Sequence, residues 1–459
     1  MSNNNQEEIA DRLNRLVKLA MDTGEADSIE DALKIFSGYK LAVAVGPEAH
    51  CSMTLQAALL TIVNAGSRSL LGGIEVEGDF DAPLLAPVPP CETLAEAIIG
   101  LGGRIVERVD DGAPLVTLGS VEERPGRAFE LQASFNGWAG GVTPRKSAET
   151  RMPETAECTP AGVFAGALAV TEAFQFLRGG NPAAGKRAVG LSLWRPDIDW
   201  RASDAKGPAL ESLPSSLWLI GLGNLGQAFL WVLGLLPYAS PKDMRLVLQD
   251  FDTLVAANKS TSLLTNDLNV GKRKTRAMAA WAEQRGFQTV IVERRFAANF
   301  KVNSGDPCMA LCGVDNALAR SALEDVGFKR VIEAGLGGGP VDFLGLRTHA
   351  FPGPRSAKRM WGIGSESQGV NLDLPAYRSL GKGGLDRCGL TQLAGRTVGA
   401  PFVGAVAACL VIGDVLRTLH GGRQFDLIDT HLREIEHRTI LPADHTEPFN
   451  PGSTPAHLF

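Results

Sequence analysis

The run Leu217-Trp218-Leu219-Ile220 enters Gly221-Leu222-Gly223-Asn224-Leu225-Gly226, and Gln227-Ala228-Phe229-Leu230-Trp231 leaves it. A short apolar run, a glycine turn and a second apolar run read as strand, turn and helix. Glycines at these spacings let the backbone turn tightly and approach a phosphate, whose charge is favoured at a helix N-terminus. The chain is thereby constrained to contain a Rossmann-like unit that takes a nucleotide. The turn alone leaves open which nucleotide chemistry follows.

The same alternation of strand and helix begins earlier in the chain. Leu41 to Val45 reads as a buried strand, Leu55 to Val63 as a helix and Gly73 to Val76 as a strand. A proline-rich loop (Pro83 to Pro90), a helix (Thr93 to Leu101) and a strand (Ile105 to Val109) follow. Such alternation predicts an α/β fold with mainly parallel sheets and helices on their faces. Residues 6–36 are expected to be helical, with Ile9, Leu13, Leu16, Leu19 and Met21 on a charged background. The polar, Pro- and Gly-bearing stretch Ala202 to Ser216 marks a boundary, and a second alternating series starts at Leu217. The expected organisation is a helical segment over 1–40, a first half over 41–201, a second half over 215–440 and a loose tail over 441–459.

The two halves share a segment. Pro160 to Gly180 matches Phe402 to Gly422 without a gap, at an offset of 242 residues. The match pairs Gly162 with Gly404, Ala165 with Ala407, Leu168 with Leu410, Glu172 with Asp414, and Gly179-Gly180 with Gly421-Gly422. It predicts a duplicated Rossmann-like unit whose small-residue helices pack closely on a sheet or on each other. The copies are unequal. The turn after the first strand is Gly46-Pro47-Glu48-Ala49-His50, with one glycine of the three and a carboxylate that would repel phosphate. The first half is therefore expected to have lost its nucleotide, and the chain to be a pseudo-dimer of one inactive and one active half. The interval from Gly221 to Gly404 is also longer than that from Gly46 to Gly162, which leaves room for a catalytic insertion.

Composition narrows the partners. A net charge of −6 with no large basic block argues against nucleic acid. No uninterrupted apolar run is long enough for a membrane span, and Met1 to Glu8 lacks an apolar signal core. Seven scattered cysteines with no CxxC pair fit reduced thiols and a cytoplasmic location better than a disulfide scaffold or zinc ribbon.

The residues downstream of the glycine turn select the chemistry. Leu246 to Gln249 leads to Asp250-Phe251-Asp252, and an acid at this strand tip suits the ribose hydroxyls. Asp250 fits that role, and Asp252 leaves the strand on the same face. Asn258 and Gly271-Lys272-Arg273-Lys274 come next. A lysine this close after the ribose acid suits a triphosphate better than a nicotinamide. Asp315, in Ala310 to Asn316, is an acid at another strand tip and suits Mg²⁺ held against ATP phosphates. A nicotinamide oxidoreductase is the competing reading; the second acid, Lys274 and Asp315-Asn316 argue against it.

Taken in order, GLGNLG, DFD, Asn258, GKRK and VDNALAR resemble the ThiF-type adenylating enzymes, which include the activating (E1-type) enzymes of ubiquitin and ubiquitin-like proteins. The resemblance covers about 217–422. It implies binding of ATP and Mg²⁺ and adenylation of the C-terminal glycine of a ubiquitin-like protein. It assigns Gly221, Gly223 and Gly226 to the phosphate loop, Asp250 to the ribose, Asn258 and Lys274 to the phosphate and acyl-phosphate, and Asp315 to the Mg²⁺-ATP. The family commonly has an arginine where this chain has Thr261, which removes a bidentate phosphate contact. Lys259, Arg273 or an arginine of the first half is expected to compensate; Arg12 and Arg15 are the candidates there, against the simpler expectation of a solvated helix face. The phrases PFVGAVAACLVIGDVLRTLHGG and Ser192-Leu193-Trp194-Arg195-Pro196 are similar to bacterial ubiquitin-like conjugation enzymes of antiphage operons. A separate conjugating enzyme is then implied. Adenylation ending in sulfur transfer, without a thioester relay, is the alternative outcome.

The thioester acceptor expected from the resemblance is Cys388, within a catalytic-cysteine loop over about 352–400. It follows Gly362 to Gly384, which reads as a flexible loop, and Arg387 beside it favours a thiolate. Cys312 and Cys409 lie in a strand and an apolar helix, so they are expected in the core. The Gly-rich run Gly335 to Gly339, before Arg347 and His349, offers bare backbone to an extended Gly-ended tail.

Overall fold

Two apolar runs seed two sheets. Leu41 to Ala44 forms the buried centre of β1 (Lys40–Val45), and Leu217 to Ile220 that of β9 (Ser216–Ile220). The computed structural model describes residues 11–145, 151–362, 371–444 and 449–457. Its first sheet adds β2 (Gly73–Glu77), β3 (Gly103–Ile105), β4 (Leu115–Leu118), β5 (Glu130–Asn136), β6 (Ala139–Pro144) and β7 (Val189–Ser192), in the order β3-β2-β1-β4-β5-β6-β7. Its second adds β10 (Arg245–Gln249), β11 (Gln288–Val292), β12 (Met309–Cys312), β13 (Arg330–Leu336), β14 (Gly345–Phe351), β15 (Phe425–His431) and β16 (Thr439–Pro442), in the order β11-β10-β9-β12-β13-β14-β15-β16. Strand for strand, the first seven places of the two orders coincide. The pairing sense coincides too: parallel as far as β5 and β13, then antiparallel through β6-β7 and β14-β15. The α/β fold of two Rossmann-like units in one chain is therefore realised.

The helices repeat in the same places. Before the first sheet come α1 (Lys18–Asp22) and α2 (Ile29–Ser37). The first sheet carries α3 (Met53–Ser69), α4 (Leu94–Gly100) and α5 (Thr159–Arg178). The second carries α6 (Asn224–Gly234) and α7 (Lys274–Gln284) at the equivalent positions, then α8 (Ala317–Ser321), α9 (Ala357–Trp361), α10 (Pro375–Lys382), α11 (Arg387–Ala394) and α12 (Pro401–Leu419). α5 packs on α3, α12 packs on α6, and α5 and α12 pack on each other, so the halves meet through four helices. The paired glycines make this possible. A Cβ at Gly162 would meet the Thr54 carbonyl of α3, and one at Gly404 would meet the Asn224 side chain of α6. Phe174 and Phe402 then lie with ring centroids 5.4 Å apart across the seam, and Trp231 donates to the Thr61 hydroxyl at 3.0 Å. α5 and α12 are long and apolar enough to cross a membrane, with mean hydropathies of 1.3 and 1.9, but 89% of each is buried inside the protein.

Several local expectations shift. Residues 18–37 form two helices rather than part of one, because the chain turns at Thr23-Gly24 and Ser28 caps α2 by accepting the Asp31 N–H at 3.0 Å. The third strand lies at Gly103–Ile105, ahead of the expected Ile105 to Val109. Beyond it, Val109 and Asp110 donate their N–H groups to the Glu77 and Glu75 carboxylates instead of to a neighbouring strand. Residues 453–455, expected to be loose, form β17 (Ser453–Pro455), which pairs with β8 (Ser212–Pro214). The stretch expected as a flexible loop contains α10; its residues 363–370 lie outside the described residues.

Candidate nucleotide-binding site

β9 ends at Ile220 and the backbone reverses at Gly221, whose φ of +85° disfavours any side chain. A Cβ at Gly226 would fall on the Gly221 carbonyl oxygen, so this glycine permits the close return of α6. Around the Cβ position of Gly223 nothing lies within 4 Å, so the turn opens outward there. α6 starts at once, at Asn224, and its N-cap residue, Gly223, has no side chain to cap the first N–H groups. Asn224 Oδ1 is buried without a hydrogen-bond partner among the described residues. An open helix N-terminus beside a glycine turn fits the phosphate chain of a nucleotide.

Asp250 ties this turn to the next strand. It is mostly buried and accepts the Leu222 N–H at 2.7 Å and the Asp252 N–H at 2.8 Å. Each carboxylate oxygen keeps a lone pair for a hydroxyl donor. Lys274, the first residue of α7, reaches back to the same acids: Nζ lies 2.9 Å from Asp252 and 3.8 Å from Asp250. Its backbone N–H also donates to the Asp252 carbonyl at 3.0 Å. Asp250, Asp252 and Lys274 are thus brought together at the tip of β10. Asp315 is exposed in the turn after β12, next to Val314, whose Cγ1 lies 2.7 Å from a Cβ built on Gly221. Because β12 pairs with β9, the Asp315 turn and the glycine turn are neighbours. No group of three or more His, Cys, Asp or Glu able to hold a metal occurs among the described residues. One exposed carboxylate beside a phosphate cradle fits Mg²⁺, which takes its other ligands from phosphate and water.

Asn258 turns inward. Its Oδ1 accepts the Val255 N–H at 2.9 Å and shapes the 3-10 turn Ala256–Ser260. The residue where the resemblance expects arginine, Thr261, is buried and lies beside Gly399, where a Cβ would fall 2.8 Å from its Cγ2. Two proposed substitutes are engaged elsewhere: Lys259 with Asp267 at 2.5 Å, and Arg273 with the Phe251 carbonyl. Arg12 is exposed. Arg15 departs from the solvated helix face: it is partly buried, its N–H donates to Ser260 Oγ at 3.0 Å, and Nη1 is buried without a hydrogen-bond partner among the described residues. Burial, then the nearby charge of Arg396, lowers its pKa to about 10.

Gln227 escaped the sequence reading. Its side chain donates to the Leu222 carbonyl at 3.2 Å and accepts from the Leu264 N–H and the Thr265 hydroxyl, each at 3.0 Å. It joins the glycine turn to the loop that contains Asn258. A lone amide within the apolar run of α6 was the available signal.

Cys388 is exposed in the first turn of α11, where Asp386 accepts the Gly389 N–H at 2.8 Å. Cys312 and Cys409 are buried; burial pushes the Cys312 thiol up to about 12 and that of Cys409 well above its usual value. Upstream, α10 is fastened to the N-terminal segment, because the Tyr377 hydroxyl donates to Asp22 at 2.5 Å and Lys18 donates to the same carboxylate at 2.8 Å. Beyond the glycine run, His349 Nδ1 lies 3.0 Å from the buried carboxylate of Glu333, and Arg347 pairs with Asp429.

Two sheets of one strand order, with a GxGxxG turn on only one of them, define a doubled Rossmann-like fold. Family models described as the BilD N-terminal domain and the BilD C-terminal domain match residues 40–193 and 213–422. A bacterial E1-like protein, BilD of Collimonas sp. (strain OK412), is 44% identical over 448 residues, spanning 97% of this chain and 96% of the relative. Among solved structures, Escherichia coli MccB is similar at 12% identity and a TM-score of 0.33, over 68% of this chain and 93% of that one. E. coli tRNA N6-threonylcarbamoyladenosine dehydratase, TcdA, is similar at 15% identity and 0.28, over 45% and 86%. The chain belongs to the BilD family of bacterial E1-like proteins.

Proposed function

We propose that this chain is an ATP-dependent activating enzyme for a ubiquitin-like protein, with one nucleotide site, in its second half. The observation that carries the reading is the uncapped N-terminus of α6 beside Asp250, Lys274 and Asp315, against the carboxylate-filled turn of the first half. Backbone N–H groups at Gly223 and Gly226 would receive the phosphates, Gly221, whose own N–H is held by the Gln249 carbonyl at 2.9 Å, would shape the turn, and Asp250 would take the ribose hydroxyls. Asp252 would hold Lys274 toward the phosphates, Asn258 would keep its turn closed behind them, and Arg15 would bring a guanidinium from the N-terminal segment. Asp315 would hold Mg²⁺, which when bound offsets phosphate charge.

In the first step the C-terminal glycine carboxylate of the partner attacks the α-phosphorus of ATP. The bond to the β-phosphate oxygen breaks, pyrophosphate leaves and an acyl-adenylate remains. In the second, the Cys388 thiol loses its proton to solvent and its sulfur attacks the acyl carbon. The bond to AMP breaks, and a thioester remains for a separate conjugating enzyme. The setting we assign is bacterial antiphage defence in the cytoplasm, where seven free cysteines would stay reduced. The domain limits are proposed at 41–201 and 215–440.

The test incubates the protein with ATP, magnesium and the ubiquitin-like protein of a neighbouring gene. Pyrophosphate exchange is expected, with an adduct released by thiol reagent. Absence of exchange would overturn the reading. Cys388→Ala is expected to keep exchange and lose the adduct; an adduct that survives this change would remove the thioester step.

A further inference from the structure

Arg68 lies in the last turn of α3, in the half without a glycine turn, yet its hydrogen bonds reach into the other half. Nη1 donates to the carbonyls of Lys259 at 2.7 Å and Thr265 at 2.8 Å, and Nη2 donates to that of Leu263 at 2.9 Å. Nε donates to Asn64 Oδ1 at 2.9 Å, and Asn64 Nδ2 itself donates to the Leu263 carbonyl at 3.2 Å. Every one of these acceptors is neutral. Burial alone lowers the Arg68 pKa, to about 10. Its charge is therefore met by three inward-pointing carbonyl dipoles of a single loop, running from the Asn258 turn to Thr265. The planar fork of a guanidinium makes these four bonds at once in a fixed geometry, whereas a lysine ammonium has only three N–H donors on one atom. The other side of the loop is held by Gln227, whose second bond goes to the glycine turn.

We propose that Arg68 is a positioning residue for ATP: from the first half it holds the loop of residues 258–265, and through Gln227 the phosphate turn, in the shape that receives the nucleotide. Without the guanidinium, the carbonyls of Lys259 and Thr265 lose their side-chain donor and that of Leu263 keeps only Asn64 Nδ2, and the loop opens. The half that lacks a nucleotide turn would then be required for nucleotide binding by the other. The proposal rests on the ATP reading above, so its test includes a measurement free of that reading.

Full-length protein and the variants Arg68→Ala and Arg68→Lys are compared. Amide hydrogen exchange over 258–265 is expected to accelerate in both variants, with the strands of both sheets still protected. In pyrophosphate exchange, KM for ATP is expected to rise about ten- to a hundredfold, while KM for the protein substrate changes by less than about twofold. Added guanidinium ion at non-denaturing concentration is expected to restore ATP affinity to Arg68→Ala. A folded Arg68→Ala with unchanged loop protection overturns the proposal. So does accelerated loop exchange with unchanged KM for ATP, or a rise of both KM values together. Should wild type lack pyrophosphate exchange, the adenylation reading falls and calorimetric binding of ATP with magnesium replaces KM. Equal affinity of wild type and Arg68→Ala, or no ATP binding by either, then overturns the proposal.

Discussion

The first strand of each half ends in a turn that meets the loop of the adjacent strand, and the two turns handle negative charge in opposite ways. In the second half α6 begins three residues after Gly221, and no side chain caps it. In the first half Pro47–His50 form a 3-10 turn and α3 begins only at Met53. Its N-terminus is already occupied: Ser52 Oγ accepts the Leu55 N–H at 3.1 Å, and the Glu157 carboxylate accepts the Thr54 N–H at 2.8 Å. Where β1 and β4 end, the Glu48 carboxylate accepts the backbone N–H of Ser120 at 2.8 Å and its hydroxyl, with Arg151 at 3.7 Å. Burial works against its ionisation, but these donors outweigh it and hold its pKa below the usual value. One half closes its helix N-terminus with its own acid; the other leaves the position open. An open helix N-terminus is thus distinguishable from one closed by side chains on the same strand order.

Four changes test how deep this asymmetry runs. The largest effect is expected at the equivalent positions Glu172 and Asp414. Asp414 holds Arg330 and Arg417 at 3.0 Å each, all buried. Asp414→Ala leaves two buried guanidinium groups unpaired and is expected to cost about 3–5 kcal/mol in chemical denaturation. Glu172→Gln, its counterpart, should cost far less at neutral pH; equal losses would erase the difference between the halves. Next is the nucleotide site: Lys274→Ala is expected to slow pyrophosphate exchange by about 10²–10³-fold without changing the melting temperature. Exchange at the wild-type rate would remove Lys274 from the phosphate role.

The third prediction concerns pH. Burial raises the Glu172 pKa to about 7 from an ordinary 4.5. The folded state therefore binds the proton more tightly than the unfolded state, and stability falls as pH rises from about 4.5 to about 7. Melting curves of Glu172→Gln should lack this component, so the variant gains on wild type across that window; parallel curves would sink the assignment. The smallest effect is expected at Glu157. Glu157→Ala removes one cap of α3, costs about 0.5–2 kcal/mol, and leaves exchange within about twofold, as the site lies in the other half. A marked loss of exchange would mean that the first half serves the chemistry directly.

Much of the architecture could be read from the chain because its signals are local. Strand and helix alternation, and small residues recurring at an offset of 242, predict two mainly parallel sheets and closely packed helices, and both sheets share one strand order. Errors fell where long-range partners override local pattern. Val109 read as strand, but its N–H and that of Asp110 after it face the carboxylates of β2. Ser453 to Pro455 read as tail, but β8 is free to pair with it. Arg15 read as a solvated face, but the segment that carries it docks on Ser260.

By itself, then, the sequence determined that there are two α/β units, that only one keeps a glycine turn, and that acids and a lysine follow that turn in order. Those properties depend on backbone preference and residue spacing, which act over a few positions. Tertiary structure alone decided which side chains meet around the two turns. Gln227 joins two loops, Arg68 and Arg15 reach the second half from the first half and the segment before it, Thr261 lies beside Gly399, Glu48 closes the turn after β1, and Glu157 caps α3. Arg68 and Arg15 depend on the first half meeting the second, and the other contacts join residues far apart within one half, so spacing over a few positions encodes neither kind.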